Sequence, residues 1–142
     1  MSRQYFEDNI PSPARVEEIL SGIGGQRIVV LGDLMLDEYL WGNVSRISPE
    51  APVPVVEVLS EELKLGGAAN VALNLKIFGD EPLLVGIVGD DSNAERFKKV
   101  LRKGRLEDQG VFIDPKRKTT VKTRIVAHSQ QVVRTDRETS TE

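Results

Sequence analysis

Hydrophobic positions along the chain switch between helical and extended spacing, and this switching predicts the order of the elements. Apolar residues within 16–23 recur at i, i+3, i+4 and i+7. Ser12 and Pro13 precede them as a typical helix start, so we expect a helix that ends at the glycine pair 24–25. The continuous β-branched run at 27–31 predicts a strand buried on both faces of a parallel sheet.

The same switching continues through the middle of the chain. A helix is predicted after the glycine pair 66–67 and stops at Gly79, and an apolar run at 83–88 predicts the next strand. Another helix ends near Gly104, and residues 111–113 form a further short strand. Strands that alternate with helices predict right-handed βαβ units and a parallel sheet.

Two other segments have extended spacing without the long apolar run of a buried strand. Residues 38–44 and 53–58 are short extended candidates on either side of a proline-rich stretch. Because proline cannot donate to a strand ladder, we expect them at a sheet edge or in a small separate sheet. Residues 119–127 and 131–134 predict a β-hairpin.

Composition narrows the class of protein. The 142 residues are 39% hydrophobic and 29% charged, with a formal net charge of -3. This predicts one soluble domain with neither a nucleic-acid surface nor an anionic-membrane surface. The chain has no cysteine and a single His128, which exclude disulfides and two-histidine metal motifs. No secretory or membrane-spanning segment is visible, so we expect a cytoplasmic protein.

Candidate chemistry follows the first strand. In an open parallel sheet, ligands bind beyond the carboxyl ends of the strands. Asp33 and Asp37 lie there, four residues apart. A carboxylate at this place can accept hydrogen bonds from neighbouring hydroxyls of a polyol. A turn in which Asp33 bonds its own backbone is the alternative.

A second candidate group opens the predicted helix after the glycine pair. Gly66 and Gly67 would let a ligand approach the backbone N–H groups, and Asn70 offers a donor and an acceptor one turn later. Close packing of the helix on the sheet would favour the same small residues. Asp90 and Asp91 are predicted helix caps.

The hairpin suggests an anion site if its turn has three residues. Arg124 then lies directly opposite Arg134, and two like charges in this arrangement make sense when they face an anion such as a sugar phosphate. A two-residue turn would place Arg124 opposite Thr135 instead. Two solvated surface arginines remain the alternative.

Taken together, these residues resemble the ribokinase/PfkB family of carbohydrate kinases. G-G-A-A-N-V-A from Gly66, then Gly79 and Gly89, matches the family's first signature, and RIVVLGDLMLDEY resembles its first strand. The segments VSRISPEAPVPVVEV, LGGAANVALNL, TTVKTR and QQVVRTD look like the heptose-7-phosphate kinase branch, the kinase part of bacterial ADP-heptose synthase. The resemblance covers roughly residues 27–138.

The resemblance implies a fold, a substrate and a set of contacts. It implies a three-layer α/β/α, Rossmann-like fold of the ribokinase type, with a projecting β lid at about residues 38–58. Asp37 would bind sugar hydroxyls, with Gly66, Gly67 and Asn70 as the other early sugar contacts. Arg124 and Arg134 become candidates for holding the 7-phosphate. The intact enzyme would phosphorylate D-glycero-β-D-manno-heptose 7-phosphate at O1, using ATP and Mg²⁺.

The chain departs from the family at its C-terminal end. The second signature, G-A-G-D, which carries the catalytic base, and the ATP-binding residues are not found by residue 142. We therefore expect a partial domain over 1–142, with no catalytic residue and no metal or cofactor site of its own, and no kinase activity alone. A homodimer through the lid strands is also expected. The alternatives are a fragment of another PfkB-type sugar or nucleoside kinase, or a non-catalytic sugar-binding or dimerisation module.

Overall fold

The computed structural model describes residues 10–139, which form two sheets and three helices. The elements in chain order are α1 (Pro13–Ser21), β1 (Arg27–Leu31), β2 (Leu34–Ile47), β3 (Pro54–Gly67), α2 (Ala68–Ile77), β4 (Glu81–Gly89), α3 (Ser92–Lys103), β5 (Val111–Asp114), β6 (Thr120–Ala127) and β7 (Gln130–Arg137). The predicted order of helices and strands is confirmed. Part of the N-terminal lead-in predicted before residue 12 lies outside the described residues.

The first sheet is parallel, with the strand order β1-β4-β5. Helices α2 and α3 cover one of its faces, where Leu84 and Val88 join the core. The prediction that β1 is buried on both faces is wrong, because Val29 and Leu31 are 65% and 76% exposed. Among residues 10–139 helices pack against one face only, so this part of the chain supplies two of the three expected layers.

The predicted N-caps Ser12 and Asp91 are confirmed, whereas Asp90 is not the cap of α3, and α1 ends at Ser21 with Gly22 as its C-cap, before the predicted glycine pair 24–25. The hydroxyl of Ser12 accepts a hydrogen bond from the Arg15 N–H, and Pro13 is in the first turn of α1. Asp91 caps α3 by accepting from the Ala94 N–H at 2.9 Å. Burial alone would raise the pKa of the Asp91 carboxyl. The hydrogen bonds from Thr119, Ala94 and Asn93 have a larger effect in the opposite direction, so the pKa lies below its ordinary value.

The second sheet, called the lid sheet below, has the strand order β3-β2-β6-β7. It confirms the small separate sheet that the prolines indicate. Its strands β2 and β3 have 14 residues each and are longer than the predicted segments 38–44 and 53–58. The strand β2 begins early because Leu34 and Leu36 alternate into the core, where they are 2% and 0% exposed. Asp37 therefore lies within a strand.

One face of the lid sheet packs on the rest of the chain. Leu36, Leu65 and Val121 come from three lid strands and share a single core cluster with Phe97 and Leu101 of α3. The opposite face of the lid sheet is open. Because successive side chains of a strand point to opposite faces, the packed leucines fix which lid residues face outward.

The β6–β7 hairpin reaches the predicted pairing by a different turn. Residues 128–129 form a two-residue turn with positive φ at both positions, 50° and 65°, as a type I′ turn requires. An irregularity in register between Ile125 and Val126 then shifts the pairing by one residue. Arg124 consequently lies opposite Arg134, as expected from a three-residue turn, although the turn has two.

Candidate functional site

The open face of the lid sheet brings together a carboxylate, two arginines and an aromatic pair. Asp37 Oδ1 accepts a hydrogen bond from Nη1 of Arg124, in the neighbouring strand β6. The hydrogen bond to Asp37 raises the pKa of the Arg124 guanidinium above its ordinary value. Tyr39 lies beside this pair, with the Arg124 guanidinium 5.3 Å from its ring centre. Trp41 stacks on Tyr39 with ring centres 5.9 Å apart.

Gly66 makes room for the Asp37 carboxylate. It lies on β3, and a Cβ atom built there would be 2.5 Å from Asp37 Oδ2 and 2.8 Å from Met35 Cγ. Gly67 has a different task at the strand–helix junction, since its φ is 57° and an added Cβ would meet Asp33 O at 2.4 Å. Gly66 therefore leaves room for the Asp37 side chain, and Gly67 allows the close approach to the Asp33 backbone.

The remaining charges on this face are paired with one another. Arg134 Nε lies 3.0 Å from Asp136 Oδ1, and Lys122 Nζ lies 3.1 Å from Asp136 Oδ2. Lys64 pairs with Glu62 at 3.2 Å. Among residues 10–139 each of these cations thus has a carboxylate partner, so an incoming anion must compete for Arg124 and Arg134.

Asn70 lies in the first turn of α2 and is exposed. It lines a cleft of about 270 Å³ between α2 and α3, together with Leu63, Leu65, Leu73 and Val100. Asp37 is not among the residues that line this cleft. The structure therefore places Asp37, Gly66, Arg124 and Arg134 on one face, and Asn70 beside a neighbouring cleft.

Glu38 and Arg96 were not predicted as functional residues. Glu38 follows Asp37 on β2 but faces the core, where Arg96 of α3 and Thr123 of β6 contact it. The sequence did contain a signal for Glu38, because two adjacent carboxylates within one strand must point to opposite faces. The buried one of such a pair then needs a partner.

The candidate site contains no metal centre of its own. In the part of the chain from 10 to 139, no three histidine or acidic side chains lie close enough together to hold a metal ion. No residue of 10–139 is therefore assigned to the Mg²⁺ that a kinase of this type would use, and we derive no step through that ion. None of the three helices is long and apolar enough to cross a membrane.

Solved structures define the fold as ribokinase-like. A carbohydrate kinase from Agrobacterium tumefaciens superimposes with a TM-score of 0.61 at 25% identity, covering 78% of this chain and 35% of that one. The Methanocaldococcus jannaschii nucleoside kinase, an archaeal member of the ribokinase family, gives a TM-score of 0.58 at 18% identity and covers 81% of this chain and 38% of its own.

Sequence comparison then gives the family. The model of the pfkB family carbohydrate kinases matches residues 26–142, so the chain belongs to this family. The bifunctional protein HldE of Pelobacter propionicus is 48% identical over 87% of the chain, and HldE of Helicobacter pylori strain J99 is 51% identical over 80%. The chain spans about a quarter of the length of these relatives, 25% and 24%.

Proposed function

We propose that this chain is the sugar-phosphate-binding part of a kinase that phosphorylates D-glycero-β-D-manno-heptose 7-phosphate at O1, with ATP and Mg²⁺. Family membership and the identity to HldE proteins support a carbohydrate kinase. The heptose substrate rests on the resemblance of residues 27–138 to the heptose-7-phosphate kinase branch. The observation that carries the proposal is the Asp37 carboxylate, which lies beside Gly66 and Arg124 on an open face.

The proposed contacts with the sugar phosphate come from charged residues of this face and from the start of α2. Asp37 accepts hydrogen bonds from two sugar hydroxyls, since a carboxylate is the strongest acceptor a protein offers a polyol. Arg124 leaves Asp37 and, with Arg134, binds the 7-phosphate, for which a guanidinium provides paired N–H donors. Gly67 and Asn70 are proposed to complete the sugar contacts as α2 begins.

The proposed reaction needs groups beyond those that bind the sugar. Phosphoryl transfer requires a base near the attacking hydroxyl and cations around the transferring group. Neither is assigned to a residue of this chain, and we propose that the chain alone has no kinase activity. An ATP-consumption assay with heptose 7-phosphate tests this, and normal turnover by the isolated chain would refute it.

A titration of the single Trp41 tests the binding proposal. Trp41 stacks on Tyr39 next to Asp37, so its fluorescence reports on this face. We expect heptose 7-phosphate to change the signal, Asp37→Asn to abolish the change, and Arg124→Ala to weaken binding of the phosphorylated sugar far more than of plain heptose. Arg46→Ala is the matched control, because Arg46 is an exposed arginine farther along β2. Equal loss in Arg46→Ala and Arg124→Ala would contradict the proposal.

A kinase for an unphosphorylated sugar is the second candidate. It is favoured by the ion pairs, because Arg124 and Arg134 already have carboxylate partners in the ligand-free chain. The same titration separates the two candidates. Tighter binding of plain sugars than of sugar phosphates would favour the second one.

We also propose that two copies of the chain associate through the lid. The strand β3 is one of the two edge strands of the lid sheet, and Val58 and Leu59 on it are exposed. An unpaired edge of this length is a template for pairing with another strand. Sedimentation at high micromolar concentration tests this, and a strictly monomeric profile would contradict it. Association without any sugar binding would instead favour a non-catalytic dimerisation module.

A further inference from the structure

One arginine of the core layer contacts two strands of the lid sheet. Arg96 extends from α3, and its Nη2 atom lies 2.5 Å from Oε1 of Glu38 on β2. The same nitrogen contacts Oε1 of Glu61 on β3. Nη1 donates to Asn93 Oδ1 at 3.1 Å, one turn earlier on α3, which orients the guanidinium. A single planar group thus connects α3 with β2 and β3.

Glu38 is held from a second direction as well. The Thr123 hydroxyl on β6 donates to Glu38 Oε2 at 2.6 Å, so both carboxylate oxygens are engaged. The Glu38 side chain is only 15% exposed. Burial alone would raise the pKa of the Glu38 carboxyl. The hydrogen bonds from Thr123 and Arg96 have a larger effect in the opposite direction, so the pKa lies below its ordinary value. The hydrogen bond to Glu38 in turn raises the pKa of Arg96.

This network differs from an ordinary surface ion pair. Exposed pairs contribute little, because water and mobile side chains compete with them. Arg102, on the same helix, makes such a pair with Asp108, and both side chains are more than a third exposed. Among residues 10–139 neither side chain of that pair makes a hydrogen bond or ion pair with a lid strand. Arg102 is therefore a matched control for Arg96, with the same residue type on the same helix and no such bond to the lid.

We propose that Arg96 is a positioning residue for the sugar-binding face. Glu38 directly follows Asp37, and adjacent side chains of a strand point to opposite faces. Anchoring Glu38 to α3 therefore fixes the rotation of β2 and, with it, the direction in which Asp37 faces its ligand. The proposal rests on the proposed function in one respect, that Asp37 is the sugar carboxylate.

Hydrogen–deuterium exchange in the ligand-free chain tests the anchoring directly. In Arg96→Gln we expect amides 36–40 of β2 and 61–65 of β3 to exchange about tenfold faster, while core amides of α2 and β4 change less than about twofold. Arg102→Gln should leave both sets unchanged. Arg96→Lys keeps the charge but cannot contact both carboxylates in one plane, so we expect an intermediate rate.

Affinity for heptose 7-phosphate, followed by Trp41 fluorescence, tests the consequence for the site. We expect Kd to rise about five- to tenfold in Arg96→Gln, to rise less in Arg96→Lys, and to stay unchanged in Arg102→Gln. If Arg96→Gln does not fold, Glu61→Gln removes only the outer contact and provides the same comparison, because Glu61 is half exposed.

The two measurements separate this proposal from the proposed function. Unchanged lid exchange in Arg96→Gln would overturn the anchoring. Faster lid exchange with unchanged affinity would overturn the positioning role. If the unmodified chain does not bind heptose 7-phosphate, the proposed function fails, while the exchange rates of β2 and β3 still decide whether Arg96 holds the lid.

Discussion

The two sheets of this chain each have one packed face and one open face, and the open faces differ in chemistry. The open face of the parallel sheet is apolar, with exposed Val29, Leu31, Leu83, Ile87 and Phe112. The open face of the lid sheet carries ion pairs and stacked aromatics around Asp37 and Arg124. Both sheets nevertheless share one core cluster on their packed sides.

The difference shows what each open face is suited to do. Parallel sheets are ordinarily covered on both faces, and their strands are apolar for that reason. On the lid face the charges are paired with one another, and carboxylates and guanidinium groups are also the kinds of group that bind hydroxyls and phosphate. The apolar face thus has the composition of a packing surface, and the lid face has the composition that the proposed sugar-phosphate site requires.

Truncating one leucine on a packed face and one on an open face gives the largest expected contrast. Leu36 of the lid sheet is 0% exposed, so Leu36→Ala should lower the free energy of unfolding by about 2–5 kcal/mol. Leu31 of the parallel sheet is 76% exposed, and Leu31→Ala should change it by less than about 0.5 kcal/mol. Urea denaturation measures both. A similar loss in the two variants would mean that the open apolar face is covered.

Local patterns were enough to predict most of the elements and one strand pairing within the candidate site. The caps at Ser12 and Asp91 and the small separate sheet depend on near neighbours in the sequence, and the structure confirms them. The Arg124–Arg134 pairing was predicted through the wrong turn, because a bulge leaves little trace in the sequence.

Features that depend on distant contacts could not be predicted. The apolar run of β1 indicates a doubly buried strand, whereas the open face at Leu31 depends on which layers are present. The ion pair of Asp37 with Arg124 joins residues 87 positions apart. Likewise, no local signal shows that Glu38 meets Arg96, since only the packing of α3 on the lid brings them together.

Adding one methyl group at Gly66 should disturb the lid face next to Asp37. A Cβ at this position would lie 2.5 Å from Asp37 Oδ2, so in Gly66→Ala the carboxylate must move. We expect a loss of roughly 1–3 kcal/mol in the free energy of unfolding, typical of overpacking, together with weaker sugar-phosphate binding. Denaturation and the Trp41 titration measure the two effects.

Gly22→Ala is the control for this substitution. Gly22 ends α1 with a φ of -92°, and an added Cβ would have its nearest contact at 3.6 Å. This variant should leave both stability and binding nearly unchanged. Gly66→Ala with unchanged binding would show that the Asp37 carboxylate can move without consequence, which would weaken its proposed contact with the sugar.

The smallest expected effect concerns how the free energy of unfolding depends on pH, which should differ between a substitution in the lid sheet and one in the parallel sheet. The pKa of Glu38 in the folded chain is below its ordinary value of about 4.5. The ionised carboxylate therefore stabilises the fold fully when the pH is above 4.5. This contribution is lost as the pH falls through the lowered pKa. Glu38→Gln should therefore differ from the unmodified chain most at neutral pH, and the difference should shrink below about pH 4.5. Arg96, Thr123 and Glu61 are the groups that face this carboxylate.

Urea denaturation between pH 3 and 7 measures this difference, with Leu31→Ala on the open face of the parallel sheet as the reference. The stability gap of Leu31→Ala should stay flat across this range, since the substitution removes no titrating group. A gap for Glu38→Gln that is equally flat would mean that the contacts with Arg96 and Thr123 do not favour the charged form of Glu38. The lid sheet would then be held on the core by the apolar contacts of its packed face alone.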